Sequence, residues 1–136
     1  MISRLRKVFA DTYPSLAGFI FLVLGIATLI QPDILSHYGI GLSQPSARVA
    51  TRAMIGGGEI GLALVLILGG RFGLNSQKRS LIAVVIFVCV GLSRIAAVFL
   101  EDANLLGSQP VREAFIELLL GSMGLWAAFG LEAYRS

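Results

Sequence analysis

The chain has 136 residues and a formal charge of +3, and it is 56% hydrophobic but only 14% charged. Because average soluble domains are roughly 25% charged, this composition indicates a membrane protein, and the length fits one domain, residues 1–136. The basic residues lie at the ends of apolar runs and in loops, which argues against nucleic acid as a partner. Cys89 is the only cysteine and His37 the only histidine, so we predict no disulfide, metal site, cofactor or catalytic residues.

Three basic residues in the first 14 positions precede a charge-free apolar run at about residues 15–31. No small-x-small cleavage site follows and further apolar runs come later, so we read this run as an uncleaved first span. Residues 33–46 are too rich in glycine, proline and polar groups to cross a membrane. Pro32 is well placed to begin a short interfacial helix there.

Three further apolar runs lie at about residues 47–70, 80–100 and 111–134, and each is near the ~20 residues that cross a hydrocarbon core. Four spans put both termini on one side. That side holds seven basic residues, Arg4, Arg6, Lys7, Arg71, Lys78, Arg79 and Arg135, and the other holds three, Arg48, Arg52 and Arg112. We therefore predict an all-α, multi-pass four-helix bundle in a bacterial inner membrane, with both termini in the cytoplasm.

Four ionisable residues interrupt the apolar runs: Arg52, Glu59, Arg94 and Glu117. A rise of 1.5 Å per residue places the two arginines and Glu117 about 6–9 Å below the outer boundary, and Glu59 about 16 Å below it. Charges inside spans are costly and are usually paired or functional. We predict one balanced cluster, which is either a structural ion-pair network or a binding site. Arg94 can pair there with Glu59 or with Glu117.

A binding site at this cluster would open outward, and four polar residues would surround its mouth: His37, Glu101, Asp102 and Gln109. Because the guanidinium fork suits pairs of oxygen atoms, the expected ligand is a lipid, a quinone or a small anion.

A different class of function is a proton-coupled small-molecule transporter that uses Glu59 as its proton carrier. Four-span multidrug exporters, however, place their essential glutamate in the first helix, which here is uncharged. A third is an accessory subunit of a larger membrane complex, or a homo-oligomer. We expect a non-enzymatic role.

Glycines in the second and fourth spans predict close approach of neighbouring helices. The residues concerned are Gly56, Gly57, Gly58, Gly61, Gly121 and Gly124. Arg52 and Glu59 are seven residues apart, so we predict that they lie on one side of the helix.

Several short elements occur in order along the chain: Arg52, Gly56-Gly57, Gly61-Leu62-Ala63-Leu64, Gly91-Leu92-Ser93-Arg94, Glu101-Asp102, Pro110 and Glu117-Leu118. Together they resemble the DUF4345 family of small four-span bacterial membrane proteins. The chain departs from that family's pattern where Leu100-Glu101-Asp102 replaces an expected Asp-Gly. It is more loosely similar to the DoxX-like group, some of which are linked to quinone or thiol redox chemistry. The resemblance implies the four-span architecture and no particular activity.

Overall fold

The computed structural model describes residues 2–101 and 109–129, and every regular element there is helical. The elements are α1 (Ile2–Ile30), a 3-10 helix (Pro32–Tyr38), α2 (Pro45–Thr51), a π-helical segment (Arg52–Gly57), α3 (Gly58–Leu68), a second 3-10 helix (Gly69–Phe72), α4 (Ser76–Glu101) and α5 (Gln109–Phe129). The described residues form two compact units. One, the α4–α5 unit, takes its residues from Met1–Pro14 and Leu74–Ser136, and the other is the Ser15–Gly73 unit. The predicted all-α class is confirmed for the described chain.

Three helical segments have the length and apolarity of membrane spans: Lys7–Ile30, Pro45–Phe72 and Ser76–Leu100. Large apolar side chains along them are exposed, among them Phe19 (59%), Met54 (78%) and Phe99 (63%). Contact with lipid is the favourable environment for such surfaces, because soluble proteins rarely expose large contiguous apolar patches. These segments characterise a membrane protein.

α5 is not among these three segments. Its 21 described residues include three charged ones, Arg112, Glu113 and Glu117, close to its start. The apolar run that predicts a fourth span continues to about residue 134, and residues 130–136 lie outside the described chain.

α1 begins at Ile2, whereas the sequence predicts the first span from about residue 15. Pro14 lies inside this helix, where proline lacks the N–H of the helical ladder and costs about 3 kcal/mol. The helix continues because its first part is packed. Tyr13 is 2% exposed, and its hydroxyl donates a hydrogen bond to the Leu120 carbonyl of α5 at 2.7 Å. Tertiary contacts therefore extend the helix past a residue that would otherwise end it.

In the Ser15–Gly73 unit, the second half of α1 packs closely against the π-helical segment and α3. A Cβ atom added at Gly25 would lie 2.8 Å from the Gly56 carbonyl oxygen, and one at Gly56 would lie 3.0 Å from the Leu29 nitrogen. At Gly18 the added Cβ would lie 2.7 Å from Cγ1 of Ile67. The two backbones approach so closely only because these positions lack side chains.

A short helix begins at Pro32, as predicted, and it ends at Gly39, whose φ of +72° favours glycine. Asp33 in its first turn forms an ion pair with Arg48 of α2. Both side chains are largely exposed, at 47% and 41%, so this pair contributes little to stability.

The α4–α5 unit also has close glycine contacts. A Cβ added at Gly91 would lie 3.0 Å from Leu118, and one at Gly121 would lie 2.9 Å from Val88. α4 and α5 therefore meet along a face of small residues.

Three glycines expected to pack closely do not do so within the described chain. Added Cβ atoms at Gly58 and Gly61 would have no heavy atom within 4 Å, and one at Gly57 would have its nearest atom at 3.8 Å. The side that contacts α1 is formed instead by Gly56, Ile60, Ala63, Leu66 and Ile67. The prediction of close packing is wrong for Gly57, Gly58 and Gly61 because these residues do not lie on the side that contacts α1.

Candidate functional site

Arg94 of α4 is held between two carboxylates of α5. Its Nε donates to both carboxylate oxygens of Glu117, at 2.9 and 3.1 Å, and its Nη1 lies 3.0 Å from Oε2 of Glu113. Gln109, at the start of α5, donates from Nε2 to Oε1 of Glu113 at 2.8 Å. We call these four residues the Arg94 cluster. Glu113 and Glu117 are four residues apart, so consecutive turns of one helix present both carboxylates to the same cation.

The cluster is partly buried. The exposed fractions of the side chains are 31% for Arg94, 24% for Glu113 and 16% for Glu117. Breaking a buried ion pair by removing one partner is costly, because it leaves a charge without compensation. The cluster therefore fixes α4 against α5.

The structure selects Glu117 from the two partners that the sequence allows for Arg94, and it adds Glu113. The predicted cluster omits Glu113, although its four-residue spacing from Glu117 is visible in the sequence. That spacing is the signal that identifies it. The predicted depths of Arg94 and Glu117, which agree to about 1 Å, are consistent with the observed pair.

Arg52 and Glu59, the other two predicted members, belong to the Ser15–Gly73 unit. Nη2 of Arg52 lies 3.4 Å from the carbonyl oxygen of Ile30, the last residue of α1. Such carbonyls lack helical partners and attract cations. Nε of Arg52 and Oε2 of Glu59 are both buried, and neither has a hydrogen-bond partner among the described residues.

A π-helical segment, Arg52–Gly57, separates these two residues. A π turn closes its hydrogen bonds five residues apart and so adds about one residue to the turn. Each residue of an α-helix advances by about 100°. Side chains after the segment are therefore rotated by about that amount relative to a continuous α-helix. The seven-residue spacing consequently does not place Arg52 and Glu59 on one side.

The predicted mouth is only partly described. Gln109 is exposed and belongs to the Arg94 cluster. Asp102 and the side chains of His37 and Glu101 lie outside the described part of the chain.

An open groove of about 390 Å³ lies along one face of α4, lined by Cys89, Val90, Ser93, Arg94 and Ala97. Small-molecule sites in proteins typically occupy about 300–1,000 Å³ and combine apolar walls with a few polar groups. This groove has that composition, since Arg94 and the hydroxyl of Ser93 are the polar groups beside small or apolar side chains. We call it the Arg94 groove.

Comparisons of the chain with protein-family models, with curated proteins and with solved structures find no match. The fold alone therefore defines its class, which is that of a helical protein with three candidate membrane spans. Among the described residues, no three or more His, Cys, Asp or Glu side chains are grouped to hold a metal ion.

Proposed function

We propose that the chain is a multi-pass protein of a bacterial inner membrane, in which α5 and the residues after it form a fourth span. The three candidate spans support this, as does the excess of seven basic residues over three that favours cytoplasmic termini. A green fluorescent protein fused after Ser136 should then fold in the cytoplasm and fluoresce. A dark fusion, with an alkaline phosphatase fusion active at the same position, would contradict the orientation.

We further propose that the protein binds an amphiphilic membrane molecule, a lipid or a quinone, in the Arg94 groove, and that it does so without catalysing a reaction. The observation that carries this proposal is the groove itself, which joins apolar walls to a guanidinium already fixed in place. By the rise of an α-helix, Cys89 lies about 8 Å deeper than Arg94. A polar head would therefore lie at Ser93 and Arg94, and an apolar tail would extend past Val90 and Cys89.

The charges of the Arg94 cluster favour one of the expected ligand classes. Two carboxylates face one guanidinium, so the cluster carries a net charge of −1 when both are ionised. A small anion would be repelled by the excess carboxylate and would compete with Glu117 for the same donors. A neutral or zwitterionic head that accepts hydrogen bonds avoids that repulsion. The cluster then serves as a structural ion-pair network that also forms one wall of the binding site.

Two exposed alanines of α4 provide a matched test. Ala97 lines the groove and the neighbouring Ala96 does not, so Ala97→Leu fills the groove while Ala96→Leu adds the same side chain elsewhere. We expect native mass spectrometry of gently extracted protein to show a bound amphiphile in the parent and in Ala96→Leu, and to lose it in Ala97→Leu. A parent that carries no small molecule, or equal retention by both variants, would contradict the proposal. A bound partner protein in place of a small molecule would favour an accessory subunit.

A further inference from the structure

Glu59 is an ionisable residue that forms no ion pair with the described residues of its own unit. It is the second residue of α3 and lies near the middle of the candidate span Pro45–Phe72, about 20 Å along the helix from the nearer end. Its Oε2 atom is buried and accepts no hydrogen bond from any described residue. An isolated carboxylate in an apolar medium is so costly that the group is normally protonated instead.

The arginines of its own unit are not placed to compensate Glu59. The second half of α1, residues 15–30, packs against α3 and contains no titratable residue. On the preceding turns, Arg52 is directed to the Ile30 carbonyl and Arg48 forms its ion pair with Asp33. Arg71 stands twelve residues further along, about 18 Å away along the helix axis.

The side chain of Glu59 is only partly covered, because the residue has intermediate exposure although its Oε2 atom is buried. The preceding π-helical segment, Arg52–Gly57, is a type of irregularity that is frequent at functional sites. A small donor or acceptor of protons can therefore reach the side chain where it is uncovered.

We propose that Glu59 is a proton-binding site within the membrane span, where it rests as a neutral carboxylic acid and exchanges its proton through the uncovered part of its side chain. This inference is independent of the Arg94 groove, because the two rest on different units of the chain. It assigns the ligand as a proton, and it supports the residue that the transporter hypothesis names as its proton carrier.

Dicyclohexylcarbodiimide is a suitable probe, because it enters membranes and reacts with protonated carboxylic acids. The acid O–H adds across one C=N bond, its proton passes to nitrogen, and rearrangement gives a stable N-acylurea without loss of any atom. Carboxylates held in ion pairs remain ionised and react slowly. The parent chain therefore contains its own control, Asp33, which forms an ion pair with Arg48.

Membranes containing the full chain would be treated with the reagent at pH 6, and adducts would be located by peptide mass spectrometry. We expect labelling of Glu59 at least tenfold faster than labelling of Asp33, and its loss in Glu59→Gln. Labelling of the parent decides the matter even if that variant fails to fold. Absence of an adduct at Glu59, or equal labelling rates at Glu59 and Asp33, would overturn the proposal.

Discussion

Replacement of Gly124 by alanine tests the packing of the α4–α5 unit at its tightest described point. The added Cβ would lie 2.6 Å from the hydroxyl oxygen of Tyr13 and 2.6 Å from Cγ2 of Val84. Real Cβ contacts are essentially never below 3.0 Å, so a neighbour has to move. Tyr13 cannot move freely, because it is 2% exposed and its hydroxyl is bound to the Leu120 carbonyl at 2.7 Å.

The expected loss of stability follows from three contributions. Overpacking of a well-packed core typically costs about 1–3 kcal/mol. Displacing the Tyr13 hydroxyl would add about 1 kcal/mol for its lost hydrogen bond. Alanine is favoured over glycine in a helix by about 1 kcal/mol, which offsets part of this cost. We expect Gly124→Ala to lower the free energy of unfolding by about 1–3 kcal/mol.

Gly61→Ala is the matched control, because the same atom is added to a helix where nothing lies within 4 Å. This variant gains the helix preference without the clash, so it should be as stable as the parent or more stable by up to about 1 kcal/mol. Helicity measured by circular dichroism during sodium dodecyl sulfate titration of detergent-solubilised protein would report both values. A Gly124→Ala variant as stable as Gly61→Ala would refute the packing described for Tyr13 and Val84.

Three further predictions use the same unfolding assay. Arg94→Ala should lower stability by about 3 kcal/mol, the lower end for a buried pair because its side chain is 31% exposed. Adding Glu117→Gln to it should restore part of the loss, and an unchanged double variant would argue against an unpaired carboxylate as the cause. Tyr13→Phe should cost about 1 kcal/mol, since it removes only the hydroxyl that binds α5. Asp33→Asn should change stability by less than about 1 kcal/mol, because its ion pair is exposed; a larger loss would show that this pair holds the short helix in place.

The helical spans could be predicted from the sequence, because hydropathy and the length of each apolar run indicate them directly. The apolar runs at 47–70 and 80–100 fall within Pro45–Phe72 and Ser76–Glu101. Hydropathy and length did not predict where α1 begins. Local rules treat Pro14 and the charges before it as a boundary, whereas the contacts of Tyr13 with α5 carry the helix through them.

The partners of Arg94 could not be predicted from depth in the membrane alone. Depth does not give the rotation of α4 and α5 about their axes, and that rotation determines which side chains face one another. Depth alone put Glu117 at the correct level, and the i, i+4 relation then brings Glu113 to the same cation. The π-helical segment is a different case. It coincides with the contact of Gly56 against Leu29, and no local pattern of three glycines specifies π over α hydrogen bonding.

Close packing in the first span was overlooked although its signal was present. Gly18 and Gly25 are seven residues apart and therefore lie on one side of α1, where both contact the π-helical segment or α3. Gly91 of α4 is similarly placed against Leu118. Applying the small-residue pattern to every span, rather than to the second and fourth alone, finds these positions.

Photo-crosslinking in native membranes tests the proposed binding site most directly. A quinone and a phospholipid, each carrying a diazirine near the polar head, would be activated in membranes containing the parent, Ala96→Leu or Ala97→Leu. We expect peptide mass spectrometry to find adducts from one of these probes concentrated on α4 between Cys89 and Ala97, in the parent and in Ala96→Leu only. Adducts spread over the exposed apolar faces of α1, α3 and α4 alike, and unchanged in Ala97→Leu, would contradict a binding site in the Arg94 groove.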